Sequence, residues 1–552
     1  MIIVLGASIK SGQLWDGLCA QAMRATCSSP LYHWFISAGD CSQQLRLRLA
    51  DPWPGRAEIG QMMCRGVLMR GNQSIRLNNI NWHTIAEHPV WGSVVHGFTW
   101  LRDLRAQGGD SSRSIARQVF EEWMIVHDRW SANVWRADIM GQRLVMWLSF
   151  FDFFCGSADE DFQKKYFASL HAQARHLARI FPAQLHGVAL LQAAQGLIYA
   201  GLSLPGRDAW IVQGFQAVLK EIPLQIRKDG THISGSPESL LQTVQVLLDL
   251  RYALNRAGLP VPDVIQQAIE RAGPALRFFV YPDRKFALFH GAQEGDADTI
   301  DAVLTQLRGS RRAVKGMVLS GVERVMQGRA VLMVDAGHVP VAPYDRSYHS
   351  APLSFEFIYG RDRVFANCGG HPTHEDWQQG LRHTAAHNAL TLNNRPVHDF
   401  AVDGGILNPH GPICSVRREK KEACLIDVSH DGFLKRSGIE HARRFFLTEE
   451  GHDLRGEDTL TDRMGLGKTN DVTIRFHMHP RVLVSGIENN QSVVLTLPAG
   501  SVWHFHGVGA TLSIEPSVYL GAGLKPQPSK QLVLTTQMTG SKAQIKWALQ
   551  RE

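Results

Sequence analysis

The chain has 552 residues, of which 44% are hydrophobic and 20% charged, and a formal net charge of +7 from 58 Lys plus Arg against 51 Asp plus Glu. This is globular composition, sufficient for two to four domains at roughly 100–200 residues each, and it excludes a disordered chain. No run of about 18 apolar residues occurs, so no membrane-spanning helix is expected; the nearest stretch, 145–155, is broken by Ser149 and Asp152.

The N-terminal sequence MIIVLGASIKSGQLWDG lacks a basic start, a sustained apolar run and a small-residue cleavage site. No secretory leader is legible there, and the literal expectation is a cytoplasmic protein. The eight cysteines are too few for a disulfide scaffold and none forms a CxxC pair, so they are expected as free thiols. Mild positive charge points to an anionic partner, but no concentrated Lys/Arg stripe or motif supports nucleic acid. Trp82, His83, His88 and Trp91 form a ring-rich loop, suited either to stacking on sugars or to packing.

From about residue 110 to 280 the apolar spacing is helical, as in FQKKYFASLHAQARHLARIF from Phe162 and SPESLLQTVQVLLDLRYALNRAG from Ser236. Ser236 is the expected N-cap of the latter helix, with Pro237 at its first position, where a missing N–H costs nothing. From about 329 alternation takes over, in RAVLMVDAG, LSFEFIYGRDRVFANCG and DVTIRFHMHP, with Gly360-Arg361 as a hairpin turn. The expected organisation is α+β: helices over 1–284 with an irregular N-terminal segment, a connection over 285–328, and antiparallel β structure over 329–552.

Chemistry-bearing residues thicken in the second half, where most of the 25 histidines lie. Arg382 could clamp a carboxylate or serve a structural charge. Arg143 could line an anion groove or bridge helices. His232 precedes a helix N-terminus, which favours anions, and Glu238 in that helix's first turn suits the helix dipole as well as a ligand. Arg475, His477 and His479 alternate on one strand face.

Three motifs carry a resemblance: HSAPLSFEF from His349 with VFANCGG from Val364; RHTAAHNALTL from Arg382; and DGTHISGSPE from Asp229. Together with the helical-then-β order they resemble the heparinase II/III-like polysaccharide lyases, over nearly the whole chain. The resemblance implies an incomplete (α/α) toroid followed by an antiparallel β-sandwich domain, and an acidic, uronate-containing polysaccharide as partner. It implies cleavage by β-elimination, in which the uronate carboxylate is neutralised, a base takes the C5 proton and an acid protonates the leaving oxygen.

Within this reading His232, before a helix N-terminus, stands in for the family's base in proton transfer, His349 and His387 organise the cleft and Arg382 neutralises the carboxylate, with Arg143, Glu238, Tyr348 and Asn388 contacting substrate. It further implies a zinc ion held by His349, Asn367 and His387, although the amide makes this a weaker donor set than one with a carboxylate. The chain departs from the pattern in four places. Asn367 replaces the family's Asp, and the family's Asn-His pair falls near Val188 and Ala189, with His186 two or three positions away. Ser347 stands where the family has the first His of His-x-His, and Ser236-Pro237-Glu238 has no tyrosine after Ser-Pro. A non-catalytic acidic-glycan-binding protein is therefore the alternative, and hydrolysis, which requires a second carboxylate near Glu238, is a third. Relatives imply the cell envelope or periplasm, at odds with the unreadable leader.

Overall fold

A computed structural model describes residues 23–552 except 40, 72, 78, 79, 89, 90, 308–314, 372, 373, 412, 421, 489 and 490. The N-terminal stretch read for a leader, and Cys19, lie outside the described residues; the seven described cysteines are free. The chain forms two compact units, one from residues up to 70, 74–221 and 249–261, the other from 71–73, 222–248 and 262–552. No described helix is long and apolar enough to cross a membrane.

The first unit is built from helices in series, including Gly109–His127, Ala137–Ser149, Glu160–Ile180 and Gly187–Ser203. Glu160–Ile180 shows why these residues are helical. Asp159 caps it by accepting from Phe162 N, acids occupy its first turn and Arg179 its last, and Phe162, Tyr166, Leu170 and Leu177 fall on its buried side. Ala137–Ser149 and Gly187–Ser203 meet backbone to backbone, because a Cβ on Gly196 would lie 2.4 Å from the Gly141 Cα. Side chains at either position would force the helices apart. The ring-rich segment expected as a loop forms the starts of helices Trp82–Glu87 and Trp91–Gly97, where Trp82 and Trp91 pack in the core while His83 and His88 are exposed.

The second unit contains antiparallel sheets of five, four and eight strands, together with the start of helix Pro237–Arg256 and helix Asp263–Phe278. Alternation matches strands with one buried face, such as Ile439–Thr448, but Ala330–Asp335 and Phe355–Tyr359 are buried on both faces. The alternation expected over these two strands is therefore not one of burial, and Asp335 and Glu356 are buried with their apolar neighbours. The expected hairpin forms: Phe355–Tyr359 pairs with Asp362–Phe365 around Gly360 at φ +64°. Phe355 stacks on Trp547 at 5.3 Å, and Phe445 and Phe476 close round the same indole in a core shared by all three sheets.

The Ser236-Pro237 helix start is as expected, with Leu240 N donating to Ser236 O. The preceding Asp229-Gly230 turn packs so tightly that a Cβ on Gly230, at φ +86°, would lie 1.9 Å from Arg271 O. Only glycine fits there. That turn and helix start bring the Asp229–Glu238 motif to the β-rich unit.

Candidate functional site

The second unit holds a cleft of about 680 Å³. Glu238 reaches it from the first turn of Pro237–Arg256, His290 and Gly291 from a loop, Arg346 and Ser347 from the 3-10 turn Tyr344–Ser347, and Arg382 from the end of helix Glu375–Arg382. His349 lines it two residues beyond Ser347.

His349 Nδ1 lies 3.1 Å from His387 Nε2, which is itself 3.0 Å from Leu381 O. A carbonyl only accepts, so His387 Nε2 carries the proton and shares it between Leu381 O and His349 Nδ1. His349 then carries its own proton on Nε2, the atom nearest Gly291. Burial, followed by the facing His387, holds His349 well below the usual imidazole range, and burial takes His387 down to about 3. Both rings are neutral at pH 7, so His349 offers the cleft an N–H donor backed by a second imidazole.

Sequence reasoning missed His290. It sits at φ +46°, stacks on Tyr348 at 4.1 Å, accepts from His349 N at 3.4 Å and places Nε2 3.2 Å from Asp335 Oδ2. Burial raises the Asp335 carboxyl, but His290 and the Gly337 N–H outweigh it and hold it net below its usual range. A non-glycine residue with positive φ on a cleft wall marks backbone held by its surroundings. The only sequence signal was His290-Gly291 itself. Gly291, at φ +80°, has room for a Cβ only 3.1 Å from His349 Nε2. Gly291→Ala is expected to cost about 1–3 kcal/mol and to displace His349, read as a lowered thermal midpoint together with a shifted His349 imidazole resonance.

Glu238 Oε2 accepts from Gln293 N at 3.0 Å, and Gln293 Nε2 donates to Gly370 O and Leu520 O, fixing the helix start to the cleft floor. Arg382 is more constrained than a free carboxylate clamp. Its Nε donates to Tyr348 O, its Nη2 to Asp345 O, and its guanidinium lies 4.4 Å over the Phe400 ring. Nη1 remains toward Gly404. Burial lowers its pKa to about 10, which leaves it cationic at neutral pH. Arg346, also missed, pairs with Asp403 at 3.0 Å.

Six expected residues do not line the cleft: His387 and Asn367, buried behind it, and His232, Arg143, Tyr348 and Asn388. His232 is 4% exposed, with Nδ1 2.7 Å from Ser234 Oγ and Nε2 3.3 Å from Gln225 Oε1; it is spent on holding the turn, and burial takes it down to about 3. Arg143 is buried in the helical unit, donating to Gln173 Oε1, His96 O and Val134 O. Tyr348 is buried under His290. Asn388 donates to Phe355 O and accepts from His477 N, a strand tie rather than a ligand contact. His477 likewise spends both nitrogens internally, 2.8 Å from Ser517 Oγ and 2.9 Å from Ala385 O.

The implied zinc set does not fit. Asn367 uses its amide at both ends, Nδ2 donating to Leu288 O and Oδ1 accepting from Asn388 N. The His387 nitrogen facing His349 carries a proton. Among the described residues no three His, Cys, Asp or Glu side chains form a metal-holding group. By contrast, Glu238 and Ser347 both line the cleft, so two of the departures from the resemblance fall on the cleft wall.

Comparison with known proteins agrees with this architecture. Residues 113–310 match the heparinase II/III N-terminus model and 309–548 the heparinase II/III-like C-terminal model. A curated relative, FtsZ-localized protein C of Caulobacter vibrioides, is 26% identical, covering 98% of this chain and 97% of its own length. A crystal structure of heparinase III matches 94% of this chain and 88% of its own at TM-score 0.71 and 13% identity. Heparan sulfate lyase HepC from Pedobacter heparinus matches 94% and 87% at TM-score 0.58 and 15% identity. The fold is thus an incomplete (α/α) toroid followed by antiparallel β structure, and with both of its family models matched in order along 113–548, the chain belongs to the heparinase II/III-like family of polysaccharide lyases.

Proposed function

We propose that the cleft binds an acidic, uronate-containing polysaccharide and cleaves it by β-elimination. The observation that carries this reading is the convergence on one cleft of a neutral imidazole N–H (His349), a carboxylate (Glu238) and two guanidinium groups (Arg346, Arg382). Arg382, with Arg346, neutralises the uronate carboxylate and so acidifies the C5 proton. Glu238 accepts that proton, the C5–H electron pair forms the C4–C5 double bond, and the C4–O bond breaks toward an oxygen that His349 Nε2–H hydrogen-bonds and that takes up the proton from the acid form of Glu238, restoring the carboxylate. The heparinase and heparan sulfate lyase likeness supports the fold this chemistry needs.

A specific observation favours a second reading, a non-catalytic acidic-glycan-binding protein. The cleft carries Glu238 and Ser347 where the family resemblance implies tyrosine and histidine. The readings separate in an assay of ultraviolet absorbance from the conjugated uronate product, using glucuronan, alginate and heparan-type chains. Elimination is expected to give a rising signal that His349→Ala lowers by about 10²–10⁴-fold. Retention of a polymer on immobilised protein with no signal supports binding alone. New reducing ends without absorbance point to hydrolysis, and neither signal nor retention overturns the glycan reading.

The Caulobacter relative is named for its localisation with FtsZ. Similarity along 98% of this chain supports the proposal that this protein too is FtsZ-localized. A fluorescent fusion that does not coincide with FtsZ would count against it.

A further inference from the structure

The cleft's two guanidinium groups are not equivalent. Arg382 is held by backbone carbonyls and an aromatic face, and no ion pair to it is found among the described residues. Arg346 is contacted by Asp403 Oδ2 at 3.0 Å. Asp403 is at the tip of a small ribbon in which Asp399–Phe400 pairs with Ile406–Leu407.

The ribbon is built to present that carboxylate. Ala401 N donates to Gly405 O and Gly404 N to Ala401 O, closing the turn, while Asp403 Oδ1 accepts from Gly405 N at 3.1 Å and leaves Oδ2 for Arg346. The base is anchored where Asp345 Oδ2 accepts from Ile406 N at 2.8 Å and where Phe400 lies under Arg382. Val402, Asp403 and Gly404 line the cleft with the two arginines. The Gly405 N–H, followed by Arg346, holds the Asp403 carboxyl below its usual range, so it is ionised wherever a uronate is.

We infer that Asp403 is an internal competitor for the ligand's acidic group: an incoming carboxylate or sulfate must displace it from Arg346, and Asp403 thereby sets how acidic a glycan must be to bind. This rests on the acidic-glycan reading above. Both partners of the ion pair are about half exposed, 54% and 59% for their side chains. Pairs of this kind contribute little stability and exchange partners readily. A polymer with acidic groups on neighbouring sugars can place one against Arg382 and another against Arg346. A neutral glycan has nothing to exchange for Asp403.

The test is calorimetric binding of a glucuronan oligosaccharide, and of its carboxyl-reduced neutral counterpart, to the full chain and to Asp403→Asn, Arg346→Gln and the double variant. Asparagine retains an acceptor for Gly405 N, and the position is exposed, so unchanged thermal midpoints are expected. Asp403→Asn is expected to tighten acidic-oligosaccharide binding by about two- to fivefold. No gain is expected for the neutral sugar, and none in the double variant. A gain that survives in the double variant overturns the proposal, because it does not pass through Arg346. So does unchanged or weaker binding by Asp403→Asn while Arg346→Gln still weakens it, and in that case the acidic-glycan reading stands. Absence of binding by all four proteins overturns both.

Discussion

Asp458→Ala is expected to destabilise the protein by about 3–5 kcal/mol, the usual cost of stripping the partner from a buried ion. The Asp458 carboxylate is fully buried and accepts from Arg443 Nε at 2.6 Å, His441 Nε2 at 2.8 Å and Trp547 Nε1 at 3.1 Å. Burial alone would raise its pKa, but Arg443 and then His441 bring it to about 2. Alanine leaves the Arg443 guanidinium uncompensated at 1% exposure. The loss is a large fraction of a typical 5–15 kcal/mol of total stability. Arg443 Nη1 also donates to Leu353 O and Asn388 O, so the disturbance reaches the segments that carry His349 and His387. Urea unfolding followed by tryptophan fluorescence measures it; a loss below about 1 kcal/mol would show that Arg443 finds another partner. Asp458→Asn, which keeps an acceptor, is expected to lose less.

This network illustrates what the sequence made legible. Asp458 lies on a strand whose alternation places it inward, so burial was readable, but its three partners come from residues 15, 17 and 89 positions away. Registers between distant strands decide such contacts. Local signals did well where physics is local: the Ser236-Pro237 helix start, the Gly360 turn and the change from helical to alternating spacing. Glu238 and Arg382 reach the cleft because they sit in the first turn and at the last residue of a helix, and His349 because it follows the Tyr344–Ser347 turn by two residues. His232 and Tyr348 do not, because a residue in a turn can spend its polar atoms on the turn itself or be covered by a neighbour such as His290. Arg346 and His290 went unread because nothing within their own segments shows that the chain brings them together.

Stability is expected to fall steeply as pH drops from about 6.5 towards 4, a window set by buried imidazoles rather than carboxylates. Burial takes His387 and His398 to about 3 and His477 to about 4, and holds His349 and His430 well below the usual range. Each has a folded pKa below its unfolded value near 6.5, so below that pH the unfolded chain binds more protons and is favoured. At pH 5 each such group costs about 2 kcal/mol, and a few suffice to offset the whole stability of a domain. Asp458, at about 2, loses its contribution only as the pH falls from about 4 towards 2, below this window. Urea midpoints at pH 7.5, 6 and 5 should therefore decline strongly, and a flat profile would refute the assignment of neutral buried rings. His398 isolates the effect. It is 1% exposed, neither ring nitrogen has a hydrogen-bond partner among the described residues, and His410 lies 5.0 Å away. An unpartnered buried polar group is a cost to the fold, so His398→Leu is expected to stabilise the protein by about 1 kcal/mol at pH 7.5. The gain should grow to about 3 kcal/mol at pH 5, where the leucine has no proton to forgo. A variant that is less stable at both pH values would mean that the imidazole's shape, rather than its polarity, is what the core requires.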